Sequence, residues 1–278
     1  LPSGTIDRNT SIESDFGFGA ALFDIDADQD LDLFVGVQNA SLEGGSPPCI
    51  FRNESQGSSP RFTPIPEFCA TPGRSLNGGF GFDMEGDGFH ELVVTGSKIV
   101  ELWRFHPRPE VINLLALLDP NDERGDCNAG AAVNIDLDFD GLLDLVVGCH
   151  YNGVDEQGLS AKHLAFVQDG NGSFRSLQQS SWAGDPPLLL VAQSSTVALG
   201  ATDLNDDGLI DLIAAEDFYT KPPGLEADSG GVYLRCDPRN LCKFRPFRLG
   251  VGHTEHGGFM GAGVLQVEGR GELLYMTD

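Results

Sequence analysis

Four nine-residue acidic stretches place an oxygen-bearing side chain at positions one, three, five and nine. The first holds Asp24, Asp26, Asp28 and Asp32, with Asp30 at position seven. The second holds Asp83, Glu85, Asp87 and Glu91, the third Asp136, Asp138, Asp140 and Asp144, and the fourth Asp203, Asn205, Asp207 and Asp211. At position seven Asp30, Phe89, Leu142 and Leu209 would each offer a backbone carbonyl. Alternating oxygens on a tight loop suit Ca²⁺, which takes about six to eight oxygen ligands in a flexible shell, whereas Mg²⁺ wants a stricter octahedron and more water. Zinc or copper would call for thiolate or imidazole, and His90 at position eight of the second loop is the one nearby candidate. Position six is Gly88, Gly141 and Gly208 in three loops, as a sharp turn requires; the first loop has Gln29 there instead.

The flanks decide what kind of loop this is. The last ligand falls at position nine, while the helix-flanked EF-hand loop ends its ligand set at about position twelve. Each loop is followed by a short apolar run, LFVGV, LVVTG, LVVGC or LIAAE. Such runs, rich in β-branched residues and closed by turn residues, read as strands. Before the loops lie FGFGAALF, GAAVNI and VALGAT, with small residues where two backbones could approach closely. Each unit is therefore strand, acidic loop, strand, and a second strand apolar on both faces belongs between neighbouring sheets.

Further strand signals fill the intervals: CIFRNES and RFTPIP, KIVELWRF and VINLLALL, HLAFVQDGNGSFRSLQ, and GVYLRC and KFRPFRLG. The third pair is joined by a DGNG hairpin turn. Four strands in a period of roughly 55 to 65 residues describe a propeller blade. The expected fold is all-β: a β-propeller of four-stranded antiparallel blades, with Ca²⁺ loops between the first two strands of four blades. One domain spans 1–278, with repeats near 15–68, 76–118, 128–178, 196–249 and 257–278.

The FGFGA of Phe16 to Ala20, followed by an acidic loop, resembles the FG-GAP repeats of the integrin alpha-chain propeller and its bacterial relatives. Strand, DxDxDGxxD, apolar strand, the CIFRNES strand and the GNGSF turn are similar to VCBS-type repeats of cartilage-acidic-protein-like secreted proteins. The resemblance covers essentially the whole chain. It implies a calcium-stabilised propeller used in adhesion or recognition, and it speaks to fold and metal rather than to ligand.

A fifth copy, MGAGVLQVEGRGELLYMTD, keeps both strands but puts Gln266, Glu268 and Arg270 at positions one, three and five of a loop one residue short. Calcium is not expected there, and Arg270 could supply positive charge in its place. Four full blades and a half, with Thr5 to Ser14 free to add a strand, suggest a five-bladed ring closed between the termini; the alternative is part of a six- or seven-bladed ring. Closure matters because an open ring exposes strand edges.

Net charge is −25, from 42 acidic and 17 basic residues. The loops hold many of those carboxylates, and four divalent cations would offset part of the excess. What remains disfavours nucleic acid and anionic membrane surfaces as partners. No apolar run reaches the roughly eighteen residues of a membrane span. The chain opens on Leu1, which is compatible with removal of an export signal. Six cysteines allow several connectivities: Cys236 and Cys242 flank a hairpin turn, Cys127 and Cys149 lie near facing strand ends, and Cys49 and Cys69 remain, with free buried thiols as the alternative. Disulfides and weak calcium sites both belong outside the cytoplasm, so an extracellular or cell-surface setting is expected. Asn9, Asn39, Asn53 and Asn171 open glycosylation triplets.

Within such a fold the metal's expected role is to staple the turn between two strands, ahead of signalling or catalysis. A protein or glycan ligand is then expected on the face opposite the calcium loops, built from 38–48, 149–161, 181–195, 216–230 and 250–258. These carry His150, Tyr151, Trp182, Asp217, Phe218, Tyr219, His253 and His256, and the stretch from Phe218 to Asp228 is the first choice. Trp103 reads as core. A non-catalytic adhesion or recognition module is the leading reading, with a lectin or a lyase-like polysaccharide-active enzyme as alternatives. No GxSxG, HExxH or phosphate-loop motif occurs, and His253 with His256 is the pair an enzyme would use.

Overall fold

The computed structural model describes residues 19–37, 48–56, 59–69, 74–120, 125, 127–150, 163–177, 196–204, 207–216, 231–235, 244–247, 261–267 and 271–277. These residues form an all-β chain in which Pro66–Phe68 and Leu114–Leu117 are 3-10 turns. The first sheet is β1 (Ala20–Phe23), β2 (Asp32–Val35), β3 (Cys49–Asn53) and β4 (Phe62–Pro64). The second is β5 (Leu76–Phe82), β6 (Glu91–Gly96), β7 (Ile99–Arg104) and β8 (Glu110–Asn113). The third is β9 (Asn128–Ile135), β10 (Asp144–His150), β11 (Leu164–Gln168) and β12 (Phe174–Ser176). The fourth is β13 (Thr196–Thr202), β14 (Asp211–Glu216), β15 (Gly231–Arg235) and β16 (Phe244–Phe247), and β17 (Gly261–Val267) pairs with β18 (Gly271–Thr277). Every pairing is antiparallel between strands consecutive in the chain.

The sheets stack in series, β1 against β5, β5 against β9, β9 against β13 and β13 against β17. Strand alternation accounts for the cores between them, because successive side chains point to opposite faces. In β6, Leu92 and Val94 join Phe23 and Phe34 of the first sheet, while Val93 joins Leu145, Val147 and Phe166 of the third. In β10, Val146 turns the other way, to Leu212 and Ala214 of the fourth sheet. All six residues of β6 are buried, which is why its central run Leu92 to Val94 is apolar without alternation. β2 differs: Phe34 is buried while Leu33 and Val35 are half-buried, so described residues cover one of its faces.

Glycines in the first strands permit this close stacking. A Cβ on Gly19 would lie 2.7 Å from the Gly78 Cα, and one on Gly81 would collide with the Phe23 side chain. Among the described residues two disulfides form, Cys49 to Cys69 with Cα atoms 4.1 Å apart and Cys127 to Cys149 with Cα atoms 5.3 Å apart. Trp103 is buried in the first core.

Two sequence expectations need correction. VINLLALL is a strand only to Asn113; Leu114–Leu117 is a 3-10 turn whose Leu115 N–H donates to the Asn113 side chain at 3.0 Å. An apolar run alone does not separate a strand from a buried turn. The fifth copy does not begin a loop at Gln266, because the ladder continues through Gln266↔Glu272 and Val267↔Gly271 and leaves a connection over 268–270. Thr5 to Ser14, Asn9, Asn39, Cys236, Cys242, Glu268 and Arg270 lie outside the described residues. No described helix is long and apolar enough to cross a membrane.

Replacing Gly81 by Ala is expected to lower stability by about 1–3 kcal/mol or more in urea denaturation, through overpacking against Phe23. The control Gly125→Ala, where nothing lies within 4 Å of the added carbon, should stay within about 0.5 kcal/mol.

Candidate metal centres

The acidic loops join β1 to β2, β5 to β6, β9 to β10 and β13 to β14, and one hydrogen-bond frame recurs in all four. The position-one carboxylate accepts from the position-six N–H: Gln29 to Asp24 at 2.8 Å, Gly88 to Asp83 at 2.9 Å, Gly141 to Asp136 at 3.1 Å and Gly208 to Asp203 at 2.7 Å. The position-five carboxylate accepts from the position-seven N–H, as in Asp28 from Asp30, Asp87 from Phe89, Asp140 from Leu142 and Asp207 from Leu209. The position-nine carboxylate reaches back to the position-two N–H: Asp32 to Ile25, Glu91 to Met84, Asp144 to Leu137 and Asp211 to Leu204, at 2.7 to 2.9 Å.

Backbone conformation explains the frame. Position six is left-handed in every loop, with φ of 72° at Gln29, 91° at Gly88, 89° at Gly141 and 85° at Gly208. Gln29 thus takes the glycine conformation at the strain cost of a side chain. Position four is left-handed as well at Ala27, Gly86 and Phe139. Two such residues curl the chain so that its amides point inward at the first carboxylate.

Position nine anchors this curl to the sheet. Asp32, Asp144 and Asp211 have no exposed surface and Glu91 is nearly as buried. Besides the loop amide, Asp32 accepts from the Asn53 N–H and Asp144 from the Gln168 N–H, both at 2.8 Å, so each carboxylate spans loop and third strand. Burial pushes Glu91 up to about 8, the Met84 N–H opposing and neighbouring Glu85 adding to the rise. Burial likewise pushes Asp144 up to about 6 against the hydrogen bonds from Gln168 and Leu137. Asp32, Asp138 and Asp30 also lie above the usual carboxylate range, through lost solvation first and crowded neighbouring carboxylates besides.

Position three is left over. Asp26, Glu85 and Asp138 form ion pairs with Arg52 at 3.3 Å, Arg104 at 3.5 Å and Arg175 at 3.6 Å. In Asp26 and in Asp138 the arginine meets Oδ2, while Oδ1 is buried and accepts no hydrogen bond from a described residue. Ligand atoms of Asp24, Asp26 and Asp28 lie within 4.8 Å of one another, as do those of Asp136, Asp138 and Asp144. All are hard oxygens, and a buried oxygen without a donor is what an oxygen-seeking cation would satisfy. The donor sets of the first and third loops therefore fit Ca²⁺.

Of the sequence-derived site residues of these two loops, Asp30, Asp32, Asp140 and Leu142 stay outside the trios. The second and fourth loops bring no trio together among the described residues; Asp83, Glu85, Asp87, Phe89 and Glu91, and Asp203, Asp207, Leu209 and Asp211, keep the frame, and Asn205 lies outside the described residues. The arginines escaped sequence reading because they arrive from other strands; a charge of opposite sign at the close of β3 and β7 is the signal that could have found two of them. Asn53, read as a glycosylation triplet, also serves the site: its Nδ2 donates to the Leu31 carbonyl at 3.1 Å.

No family model matches the chain, and no curated protein matches it. Among solved structures, an Agrocybe aegerita lectin, described for specific recognition of non-reducing terminal N-acetylglucosamine, aligns with a TM-score of 0.45 at 16% identity. The alignment covers 92% of this chain and 56% of the lectin's. At that distance no residue role passes from one to the other.

Two outcomes follow from the buried carboxylates. A carboxyl raised in the fold binds its proton more tightly there than in the unfolded chain, so stability falls as pH rises from the ordinary value to the raised one. That window runs from 4.5 to about 8 for Glu91 and from 3.8 to about 6 for Asp144. Chelator-treated protein should therefore melt at a higher temperature at pH 5 than at pH 8, and calcium should reduce or reverse the difference. Asp144→Ala strands two buried N–H groups, each worth about 1–3 kcal/mol; denaturation in chelator should show a loss well above that of Asp140→Ala, at an exposed position.

Proposed function

We propose that this chain is a calcium-stabilised, non-catalytic recognition module: a β-propeller of the FG-GAP/VCBS type, working outside the cell and binding a protein or glycan on the face away from its calcium loops. The observation that carries the metal reading is the bare, buried Oδ1 of position three, found in the same place in Asp26 and Asp138. Two loops far apart in sequence keep the same oxygen free of hydrogen bonds, while the carboxylates at positions one, five and nine accept backbone amides. A cation supplies what that oxygen lacks and offsets the crowding that raises its neighbours. We assign one Ca²⁺ to each of the four loops.

The role is structural. The position-nine carboxylate joins loop to strand, so an ion on the loop braces the junction on which the second strand starts, and protein oxygens fill the positions a reacting ligand would need. The propeller reading is supported by four-stranded antiparallel sheets that follow the chain and stack through their first strands. Five blades, the last completed by a strand from elsewhere in the chain, is the arrangement we favour. Two disulfides and the calcium sites support an extracellular setting.

Topology supports the choice of binding face. The acidic loops and the β3–β4, β7–β8 and β11–β12 connections gather at one end of the sheets, where the hydrogen-bond frame occupies their side chains. Long connections leave from the other end, after β2, β10 and β14 and between sheets. They carry Tyr151, Trp182, Asp217, Phe218, Tyr219, His253 and His256, all outside the described residues, and His150 at the close of β10.

Calcium should raise the melting temperature and chelator should lower it, a single site at one hundred times its Kd contributing about 2.7 kcal/mol. Melting indifferent to both would remove the structural role. With calcium present, a glycan array and capture from an extracellular extract separate the two ligand classes, and Trp182→Ala or Tyr219→Ala should weaken binding without changing calcium-dependent melting.

A further inference from the structure

We propose that the first two calcium loops are a coupled pair, with His90 as the residue that couples them; this rests on the calcium reading above. His90 stands at position eight of the second loop, between Phe89, whose carbonyl would be the position-seven ligand, and Glu91 at position nine. It does not serve its own loop. Its N–H donates to the Asp24 carbonyl at 2.9 Å, and its ring Nδ1 accepts from the Asp24 N–H at 3.3 Å. Both backbone groups of Asp24 are thus held by one residue of the neighbouring loop.

Asp24 is the residue that organises the first loop. Its buried carboxylate accepts the Asp28 N–H at 3.2 Å and the Gln29 N–H at 2.8 Å, and it is one of the trio with Asp26 and Asp28. The loops also meet above the clasp, where a Cβ on Gly88 would stand 3.8 Å from the Ala27 Cβ. On the other side Phe89 stacks on His106, ring centroids 3.9 Å apart and planes 6° from parallel, which limits how far the 89–91 segment can shift without moving His90. Leu31, Leu143 and Ile210 fill position eight in the other loops, and none has a side-chain nitrogen or oxygen with which to make this clasp.

The consequence is thermodynamic. An ion in the second loop needs the Phe89 carbonyl and the Glu91 carboxylate in place, and fixing residues on both sides of His90 fixes His90. A fixed His90 pre-sets the Asp24 backbone, so the first loop binds at a smaller ordering cost. Linkage makes the effect reciprocal, and couplings of this sort amount to a factor of roughly five or more in affinity.

Hydrogen exchange on the full chain, followed peptide by peptide against free calcium, reads each loop separately. Asp87→Asn, which cripples the second site, should move the midpoint for protection of the 24–32 peptide about five-fold or more to higher calcium and that of the 136–144 peptide much less. In His90→Leu, carrying the residue found at Leu31 and Leu143, the same Asp87→Asn change should move the 24–32 midpoint much less. Independent midpoints for 24–32 and the second loop, or an undiminished shift in the His90→Leu background, would overturn the coupling while leaving calcium binding intact. Absence of calcium-dependent protection in any loop would sink the calcium reading and the coupling with it.

Discussion

The whole arrangement turns on a carboxylate buried at the first residue of each second strand. Asp32, Glu91, Asp144 and Asp211 begin β2, β6, β10 and β14, each withdrawn from water and each accepting an amide from position two of its loop. Burying such a group is costly unless its oxygens are paired, and here pairing and architecture coincide. In the first and third sheets the second oxygen takes an amide at the end of the third strand. One side chain thereby fixes where the loop closes, where the second strand starts and how the third strand is registered against it.

From that anchor the loop's other carboxylates divide the work. Positions one and five are consumed by backbone amides that the left-handed residues turn inward, so they shape the loop. Position three pairs with arginine instead, and in Asp26 and Asp138 keeps one buried oxygen without a hydrogen bond. Arg52 and Arg175 are roughly half-exposed, where an ion pair contributes little, whereas Arg104 is largely buried and also meets Glu110 and the carbonyl of Gly172 in the third sheet. The second loop, with Glu at positions three and nine and a His at eight, is the one tied to both neighbouring sheets.

Much of this was legible in the sequence because it depends on local pattern. LVV in β6 and β10 reads as a strand covered on both faces, and the stacking of three consecutive sheets covers it. Gly88, Gly141 and Gly208 announce the left-handed turn that φ shows. The disulfide Cys127–Cys149 followed from placing the two cysteines near facing strand ends, and Cys49–Cys69 was the pair that remained. What escaped notice is conformational or non-local. Ala27 and Phe139 occupy left-handed backbone with no compositional sign of it, since the cost of such a residue is small beside the amide bonds it enables. Gln266 matches position one in alignment yet continues a ladder, with Glu272 as its register partner. Asp24 and His90 are brought together by sheet stacking, which no reading of either loop alone contains.

Stacking in series also sets how far a loop's influence reaches. The strand that an acidic loop launches is the one whose two faces fill two different cores: Leu92 and Val94 belong to the core shared with the first sheet, and Val93 to the core shared with the third. A loosened loop at the head of β6 therefore disturbs packing on both sides, while β2, covered on one face by described residues, transmits to one neighbour. Nearly identical loops need not carry equal weight for that reason. In a stacked array the stability of a unit includes its interfaces with the next, so among the described residues the loop at the head of β6 braces two interfaces and the loop at the head of β2 one.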